Sequence, residues 1–397
     1  MDEDLKFVLN CCTAFGIYIP QTKYGSRRWK IGCTIYTSFL MVILSSICVL
    51  GVFMSPLEND YIISWFVSAF VFVSQIFSHL VMMWECLAKQ REHTEFLRLL
   101  DEIEVAFKLK LRTDIGRDLL AQKLRRILFS LAAISILGLI IFGIHTSFMD
   151  DQGYFWWALF AILAMRMRFL QLQMYVELLN HYLWSLNRKL QQVVCLKTEE
   201  EAQLLDVDYK QLETLEYLNH IKELYSSIYE AFHCLNEFGQ ASMFAVTASY
   251  FLDCTCHIYW CLLALDKLFP SASIVLSIST IIPLSLNSYK FCYTCQLVKQ
   301  ECRLTALLVT RLNVSDSNHN CLELQKNYKS LVHDFSLQLL HQRIVVTGKR
   351  FFNFDLQCIF GICVLIVTHL IILIQFTKSD NNSGNVNQTE IQETMVN

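Results

Sequence analysis

Seven apolar stretches dominate the sequence, and each is long enough to cross a lipid bilayer as an α-helix, which takes about 20 residues. They are residues 31–54, 61–84, 127–148, 154–178, 238–265, 271–292 and 354–376. The stretches are continuous and do not alternate with polar residues, which favours helices over the strands of a β-barrel. Because backbone polar groups in lipid must be paired within their own segment, the pattern predicts an all-α, polytopic membrane protein.

The composition excludes most other classes of protein. Charged residues make up 17% of the chain and hydrophobic residues 54%, and the mean hydropathy is +0.37. An ordinary soluble domain has about 25% charged residues, so this chain has too little polar surface for a soluble enzyme or a disordered protein. The formal net charge of -3 gives no argument for a nucleic-acid partner.

Charged residues inside the predicted spans identify candidate functional positions. The first three spans contain none, and the seventh contains one, Asp355, at its first turn. The fourth contains Arg166, Arg168 and Glu177, and the fifth and sixth contain Asp253 and Lys290. Ionisable groups inside a membrane are costly, and they mark functional positions or ion pairs that fix helix packing. The fourth and fifth spans are therefore the most informative for function.

The distribution of basic residues predicts the orientation. Of the 33 Lys and Arg residues, 28 lie in the N-terminal tail and in the connections after spans 2, 4 and 6, whereas two lie on the other side. The positive-inside rule then places the N-terminus in the cytoplasm and the C-terminus outside. Two glycosylation sequons, at Asn381 and Asn387, fall in the predicted extracellular tail and agree with this orientation.

The long connections carry apolar residues at helical spacing. Phe96, Leu99, Leu100, Ile103 and Phe107 recur in this way after span 2. An amphipathic helix has to bury its apolar face, so these segments are expected to continue below the membrane as a packed cytoplasmic bundle. The alternative is a set of surface helices that lie on the inner leaflet.

The last span contains a motif. Residues 368–376 read Thr-His-Leu-Ile-Ile-Leu-Ile-Gln-Phe, and this resembles the signature of insect gustatory receptors, in which Thr-Tyr is followed by five hydrophobic residues and Gln-Phe. His369 replaces the usual Tyr. The segment 350–355 that precedes the span is also similar to the family's sequence at this point. The resemblance is residue-specific over 349–376 and otherwise rests on length, seven spans and orientation.

The resemblance implies a fold and an activity. The family forms tetrameric, ligand-gated, nonselective cation channels in chemosensory neurons, with the last helix of each subunit around one pore. It implies the following division of the chain: a cytoplasmic tail (1–30), a peripheral transmembrane bundle (31–292), a cytoplasmic anchor segment (293–353), a pore-lining helix (354–377) and an extracellular polar tail (378–397). Homotetramers and mixed tetramers with related receptors both remain open.

The expected ligand is a small organic tastant. Sugar-sensing members of the family have an acidic residue directly after the Tyr of the motif, where this chain has Leu370. His at the Tyr position is similar to bitter-type members from moths and butterflies, which favours a bitter plant metabolite. A fructose-type sugar channel, an odorant-receptor subunit that needs a co-receptor and a metabotropic seven-helix receptor are the alternatives.

Helical spacing predicts which residues would face a pore. One stripe of the last span contains Gly361, Val364, Thr368, Ile372 and Gln375. A ring of Gln375 amides would replace part of a cation's hydration, and rings of Ile372 or Phe376 would close the path by dewetting. His369 would either make gating pH-sensitive or simply pack, and the alternative for Gln375 is a cap at the outer membrane interface.

Two charges in neighbouring spans predict a ligand pocket. Arg166 and Asp253 each lie about 18 Å below the outer end of their span at 1.5 Å per residue, so they are expected to pair at a pocket floor. The alternative is an ion pair that only fixes packing. His257 lies one helical turn from Asp253, and the aromatic residues expected around an apolar ligand are Trp65, Phe160, Tyr250 and Trp260.

No sequence motif indicates catalysis or a cofactor. A phosphate-binding loop, a dinucleotide-binding glycine pattern and an H-E-x-x-H motif are all absent from the sequence. The lone Cys292-x-x-Cys295 has no second ligand pair at zinc spacing, so no metal is expected. The expected partners are a tastant, permeant cations, membrane lipid and other receptor subunits, at the plasma membrane of a sensory neuron.

Overall fold

The computed structural model describes residues 3–20, 27–54, 62–112, 115–147, 155–195, 215–267, 272–314, 322–349 and 351–396. Within these ranges the chain is helical apart from turns and one short hairpin. The elements are α1 (Glu3–Ala14), α2 (Arg27–Met54), α3 (Ile62–Ala88), α4 (Gln90–Lys110), α5 (Arg117–Ser147), α6 (Phe155–Cys195), α7 (Leu215–Leu265), α8 (Ala272–Val314), α9 (Leu322–His341), β1 (Thr347–Gly348), β2 (Phe352–Asn353) and α10 (Leu356–Val396).

Each of the seven predicted spans corresponds to one helix over its described residues, except that 354 and 355 precede α10. Six of these helices, α2, α3, α5, α7, α8 and α10, are long and apolar enough to cross a membrane. Helix α6 is the exception, because Arg166, Arg168 and Glu177 lie in the stretch that would cross it. The predicted all-α, polytopic architecture is confirmed.

Several helices are much longer than a bilayer requires. Helices α6, α7 and α8 have 41, 51 and 43 residues. At 1.5 Å per residue even the shortest is about 60 Å long, against about 30 Å of hydrocarbon. The spans therefore continue beyond the membrane as the connections predicted, and α4 buries Phe96, Ile103 and Phe107 against α7. These helices form a packed bundle, so the alternative of surface helices is wrong for α4.

The centre of the molecule is formed by α3, α6, α7 and α8, which pack on one another. Two spans lie at the periphery of the chain. Of the residues in the most apolar segment of each helix, only 17% are buried in α2 and 6% in α10. Such apolar, poorly buried helices have to face lipid or another subunit.

The N-terminal tail contains a helix that the sequence analysis did not predict. Helix α1 buries Leu5, Val8, Leu9 and Cys12, and it packs mainly on α6. The chain then reverses at Gly16, where φ is +71° and a Cβ would lie 3.2 Å from Leu40 Cδ2. A residue with a side chain would be strained here by its backbone and crowded by its neighbours.

A hairpin leads into the last helix. Strands β1 and β2 are antiparallel, with Thr347 opposite Asn353. Asn236 of α7 binds the hairpin segment with both polar atoms of its side-chain amide. Its Nδ2 donates to Val345 O at 2.7 Å, and its Oδ1 accepts from Thr347 N at 3.0 Å. The hairpin is thereby fixed to the longest helix of the bundle.

Asp355 begins α10. Its Oδ1 accepts from Cys358 N at 3.1 Å, which satisfies one of the free N–H groups of the first helical turn. Its Oδ2 accepts from Lys299 Nζ of α8 at 3.2 Å. One carboxylate therefore caps α10 and connects it to α8. Helix α10 continues through the predicted polar tail to Val396, and its side chains beyond Phe376, including those of Asn381 and Asn387, lie outside the described residues.

Candidate functional site

The two charges of the predicted pocket floor are both buried, but they bind different partners. Arg166 Nη1 donates to Ser135 O of α5 at 2.5 Å, and Asp253 Oδ1 accepts from Gln75 Nε2 of α3 at 2.9 Å. The Arg166–Asp253 pair is not formed directly, although each residue lies within electrostatic range of the other. The sequence predicted that both charges lie at a similar depth in the membrane. The rotation of α6 and α7 about their axes, however, brings the two side chains against different neighbours.

Several polar groups around Arg166 have no hydrogen-bond partner. They are Arg166 Nε, the Tyr250 hydroxyl, His257 Nδ1 and Asn287 Oδ1. Leaving a buried polar group unpaired costs about 1–3 kcal/mol. A ligand with complementary polar groups would recover part of that cost, so these atoms are suited to recognition.

Aromatic rings surround this polar cluster. His257 makes edge contacts with Phe142 at 5.9 Å and with Trp260 at 5.2 Å between ring centroids, and Tyr250 packs on Phe169 at 5.6 Å. His257 and Trp260 are therefore in contact. Tyr250 packs on α6 through Phe169, and it lies within electrostatic range of Arg166, as His257 does. An apolar enclosure with a few polar atoms is typical of small-molecule sites.

One predicted pocket residue, Phe160, is placed differently. The Phe160 ring contacts Phe15 at 5.1 Å and His79 at 5.5 Å, so it faces α3 and the turn after α1. No ring contact joins Phe160 to Tyr250 or Trp260, which are all described. Trp65 lies in α3, but its side chain falls outside the described part of the chain.

Trp260 also connects the pocket to the last helix. It packs beside Val67, Val71 and Cys256 together with Leu373 of α10. A neighbouring cluster contains Tyr259, Leu263 and the buried Leu370 of α10. A rearrangement around His257 and Trp260 would therefore reach α10 through direct packing.

The predicted pore stripe lies on the exposed side of α10. Gly361, Val364, Thr368, Ile372 and Gln375 are all exposed, and Leu370 is buried against α7 on the opposite side of the helix. A Cβ built at Gly361 meets nothing within 4 Å. Five polar, small and apolar residues thus form one continuous surface that the chain itself leaves uncovered.

His369 lies at the edge of this surface. Its ring makes an edge contact with Phe251 of α7 at 5.4 Å between centroids, and Nδ1 lies 2.8 Å from Leu365 O. The adjacent Phe376 is 62% exposed. His369 therefore contacts α7 within its own chain and is accessible from outside it.

A buried ion pair that was not predicted from the sequence joins α3 and α6. Glu85 is 3% exposed and Arg168 2% exposed, and Arg168 Nη2 lies 3.2 Å from Glu85 Oε2. The predicted second span ended at Trp84, one residue before Glu85, although α3 continues to Ala88. The available signal was Arg168 itself, because a buried arginine inside a span requires an acidic partner.

The ion pair binds the backbone of α7. Glu85 accepts from Ala241 N at 2.8 Å, from Ser242 N at 3.0 Å and from the Ser242 hydroxyl, while Arg168 Nη2 donates to Phe238 O at 3.3 Å. In a regular helix, Ser242 N–H and Phe238 C=O would pair with each other. Side chains inserted into a helical ladder are one of the identifiable causes of a local bend. Three helices are therefore fixed at one point.

A buried histidine extends this network. His93 Nε2 lies 2.9 Å from the Tyr175 hydroxyl, and its ring stacks on Phe238 at 4.3 Å between centroids. Burial, with a smaller contribution from the positive charge of Arg168, lowers the pKa of His93 to about 3. His93 is consequently neutral at physiological pH. Within the described residues, no group of three or more His, Cys, Asp or Glu residues is arranged to hold a metal.

Comparisons with known proteins agree with this architecture. A family model described as 7tm chemosensory receptor matches residues 5–380. Gustatory receptor 39b of Drosophila melanogaster is 24% identical over 370 residues, which cover 90% of this chain and 98% of that protein. Gustatory receptor 2a of the same organism is 25% identical over 335 residues and covers 77% of each chain.

A solved structure has the same fold. The insect olfactory receptor OR5 from Machilis hrabei, in complex with eugenol, matches with a TM-score of 0.65 and 13% identity, covering 94% of this chain and 97% of that one. The family match extends over nearly the whole sequence, and it agrees with the seven helices that contain the predicted spans. The chain belongs to the seven-transmembrane chemosensory receptor family.

Proposed function

We propose that the protein is a gustatory receptor subunit that assembles as a tetramer and acts as a ligand-gated, nonselective cation channel. The observation that carries this proposal is the uncovered surface of α10, with Gly361, Thr368 and Gln375 on the side opposite the buried Leu370. The Thr368 hydroxyl donates to Val364 O of its own helix, but the exposed Gln375 amide is poorly suited to lipid, in which unpaired polar groups are costly. Four such surfaces around one axis would enclose a wet path.

The proposed ligand site lies around Arg166, Tyr250, His257 and Trp260. Its aromatic walls suit an apolar or amphipathic organic molecule, and its unpartnered polar atoms would select for oxygen-containing groups. The structural neighbour OR5 was solved with eugenol, a small aromatic molecule of this kind. We favour a bitter plant metabolite over a sugar, because a sugar needs many more polar contacts than this mainly aromatic enclosure offers.

Gating would be transmitted to α10 at two places. The cluster of Trp260 and Leu373 connects the ligand site with the outer half of α10. The Lys299–Asp355 contact connects α8 with the first turn of the same helix. Movement of α7 or α8 on ligand binding would therefore displace the residues that line the proposed pore.

Purified receptor in liposomes, without G proteins, tests the channel. A panel of bitter compounds and sugars is applied while cation current is recorded. We expect Gln375→Glu to raise the cation-to-anion permeability ratio and Gln375→Lys to lower it, because a ring of four charges would lie in the path. Ligand-evoked current with the same reversal potential in both variants would show that α10 does not line the pore. Assembled tetramers that never conduct would contradict the self-sufficient channel.

The ligand site is tested separately from the pore. His257→Phe keeps the ring contacts with Phe142 and Trp260 but removes the polar nitrogen atoms, so it should weaken the response to an active compound. His145→Phe is the matched control, since it also removes an imidazole from a predicted span. Its Nδ1 lies 3.0 Å from Ile141 O of its own helix, and the residue is outside the proposed pocket. Equal ligand sensitivity of His257→Phe and the unmodified receptor would refute this location.

A further inference from the structure

A cavity lies between α1 and the first turns of α2, and none of the residues of the proposed tastant site lines it. It has a volume of about 770 Å³ and is lined by Asn10 and Thr13 of α1 and by Arg28, Trp29, Gly32 and Tyr36 of α2. Small-molecule sites in proteins have volumes of about 300–1,000 Å³. The Tyr36 hydroxyl donates to Ala14 O at 2.7 Å and fixes the end of α1 at one side of this cavity.

The cavity is located at a membrane interface. The apolar part of α2 that would cross the membrane runs from Arg28 to Phe53. Ile31, Ile35 and Phe39 are more than half exposed on the same helix, which is typical of a surface in contact with acyl chains. Trp29, at the edge of the span, has the position that tryptophan favours near lipid headgroups.

The lining changes character along α2. Arg28 and Trp29 lie at the polar end of the cavity, and Gly32 and Tyr36 lie deeper. From Arg28 to Tyr36 the helix rises about 12 Å, close to the thickness of one hydrocarbon leaflet of about 15 Å. The cavity therefore suits the polar part of an amphiphile, with its charged group at Arg28 and its uncharged polar region towards Tyr36.

The charge of the lining indicates an anion. Arg28 is the single charged residue among the described lining residues, and the positive end of the α2 dipole lies beside it. The side chain of Asp4 in α1 does not compensate this charge, because it pairs with Arg125 of α5 at 3.2 Å.

We propose that this cavity binds the headgroup and glycerol region of one anionic phospholipid from the cytoplasmic leaflet, with the acyl chains along the exposed face of α2. The cavity is too small for a whole phospholipid, so the chains have to leave it, and Ile31, Ile35 and Phe39 provide an apolar surface for them. The lipid would connect α1 to the first span and stabilise the receptor independently of any tastant.

The charge requirement is tested on the full-length receptor in neutral detergent. Phosphatidylserine, phosphatidylcholine and soluble glycerophosphoserine are titrated separately, and the shift in apparent melting temperature gives an affinity for each. We expect stabilisation by phosphatidylserine alone. Arg28→Gln should weaken the apparent phosphatidylserine affinity about tenfold, as expected for the loss of a charge-assisted hydrogen bond. Lys30→Gln removes a neighbouring charge outside the lining and should change the affinity by less than about threefold.

The location is tested by filling the cavity. A Cβ at Gly32 meets nothing within 4 Å, so Gly32→Leu places its side chain in open space without disturbing the backbone. It should abolish the stabilisation by phosphatidylserine, whereas Ser38→Leu, at an exposed position of the same helix outside the lining, should preserve it. Equal stabilisation by phosphatidylcholine, equal stabilisation by glycerophosphoserine, or unchanged phosphatidylserine binding in Gly32→Leu would each overturn the proposal. These measurements need no channel current, so their outcome is separate from that of the proposed function.

Discussion

The Glu85–Arg168 pair gives the strongest test of how the bundle is held together. The substitution Glu85→Gln keeps the size of the side chain but leaves Arg168, which is 2% exposed, without its counter-charge. Breaking a buried ion pair by removing one partner costs about 3–5 kcal/mol, because the remaining charge stays desolvated. The side chain also binds Ala241 N and Ser242 N of α7, and the neutral amide accepts those hydrogen bonds less strongly. We expect a loss near the upper end of this range.

The assay is equilibrium unfolding of the purified receptor in mixed micelles by titration with SDS. The exposed pair Lys110–Glu223 is the control, since Lys110→Gln should change stability by no more than the ~0.5 kcal/mol of an ordinary surface substitution. The double variant Glu85→Gln, Arg168→Met removes both charges and should be more stable than the sum of the two single losses predicts. A Glu85→Gln effect as small as that of Lys110→Gln would refute the reasoning, and so would strict additivity in the double variant.

Three further predictions concern stability and the connection to α10. Asn236→Ala removes both hydrogen bonds to the hairpin and should cost about 1–3 kcal/mol, with faster amide exchange at Thr347 as the direct readout. Asp355→Ala should cost about 0.5–2 kcal/mol through loss of the α10 cap, whereas Asp355→Asn, which also caps helices, should recover most of it in the same unfolding assay. Burial lowers the pKa of His93 to about 3, below the ordinary value of about 6.5, so its contribution to stability is present above pH 6.5 and is lost as pH falls towards 3. At pH 5 the loss should be about 2 kcal/mol relative to pH 7, and His93→Phe should remove that part of the pH dependence; an unchanged pH dependence would contradict it.

Much of the fold could be predicted because the membrane imposes a simple rule. A backbone in lipid must pair its own polar groups, so continuous apolar stretches have to be helices, and each of the seven predicted spans corresponds to one helix. The ends were predicted less well, since α5, α6, α7, α8 and α10 each extend ten or more residues beyond the predicted span. Helical spacing also identified the buried face of α4 and the stripe of α10 that its own chain leaves exposed. Helix α1 was not predicted because it is short and polar on one face. Its apolar residues become buried only when the helix packs on α6.

The candidate site shows where this rule stops. Hydropathy gives the depth of a residue along its own helix, and on that basis Arg166 and Asp253 were expected to pair. Depth alone does not give the rotation of a helix or its vertical offset from its neighbours. In the folded chain Arg166 binds Ser135 and Asp253 binds Gln75. The same offset brings Glu85, near the end of α3, beside Arg168, in the first half of α6.

The sequence by itself therefore determined the class of protein, the positions of the spans and the exposed surface of the last helix. Each of these follows from local hydrophobicity and a fixed helical period. Only the tertiary structure decided which buried charges meet, how the hairpin is fixed by Asn236 and where α1 leaves a cavity beside α2. Those features depend on contacts between residues far apart in the chain. The energy of such a contact depends on how whole helices pack, and a local sequence pattern does not contain that information.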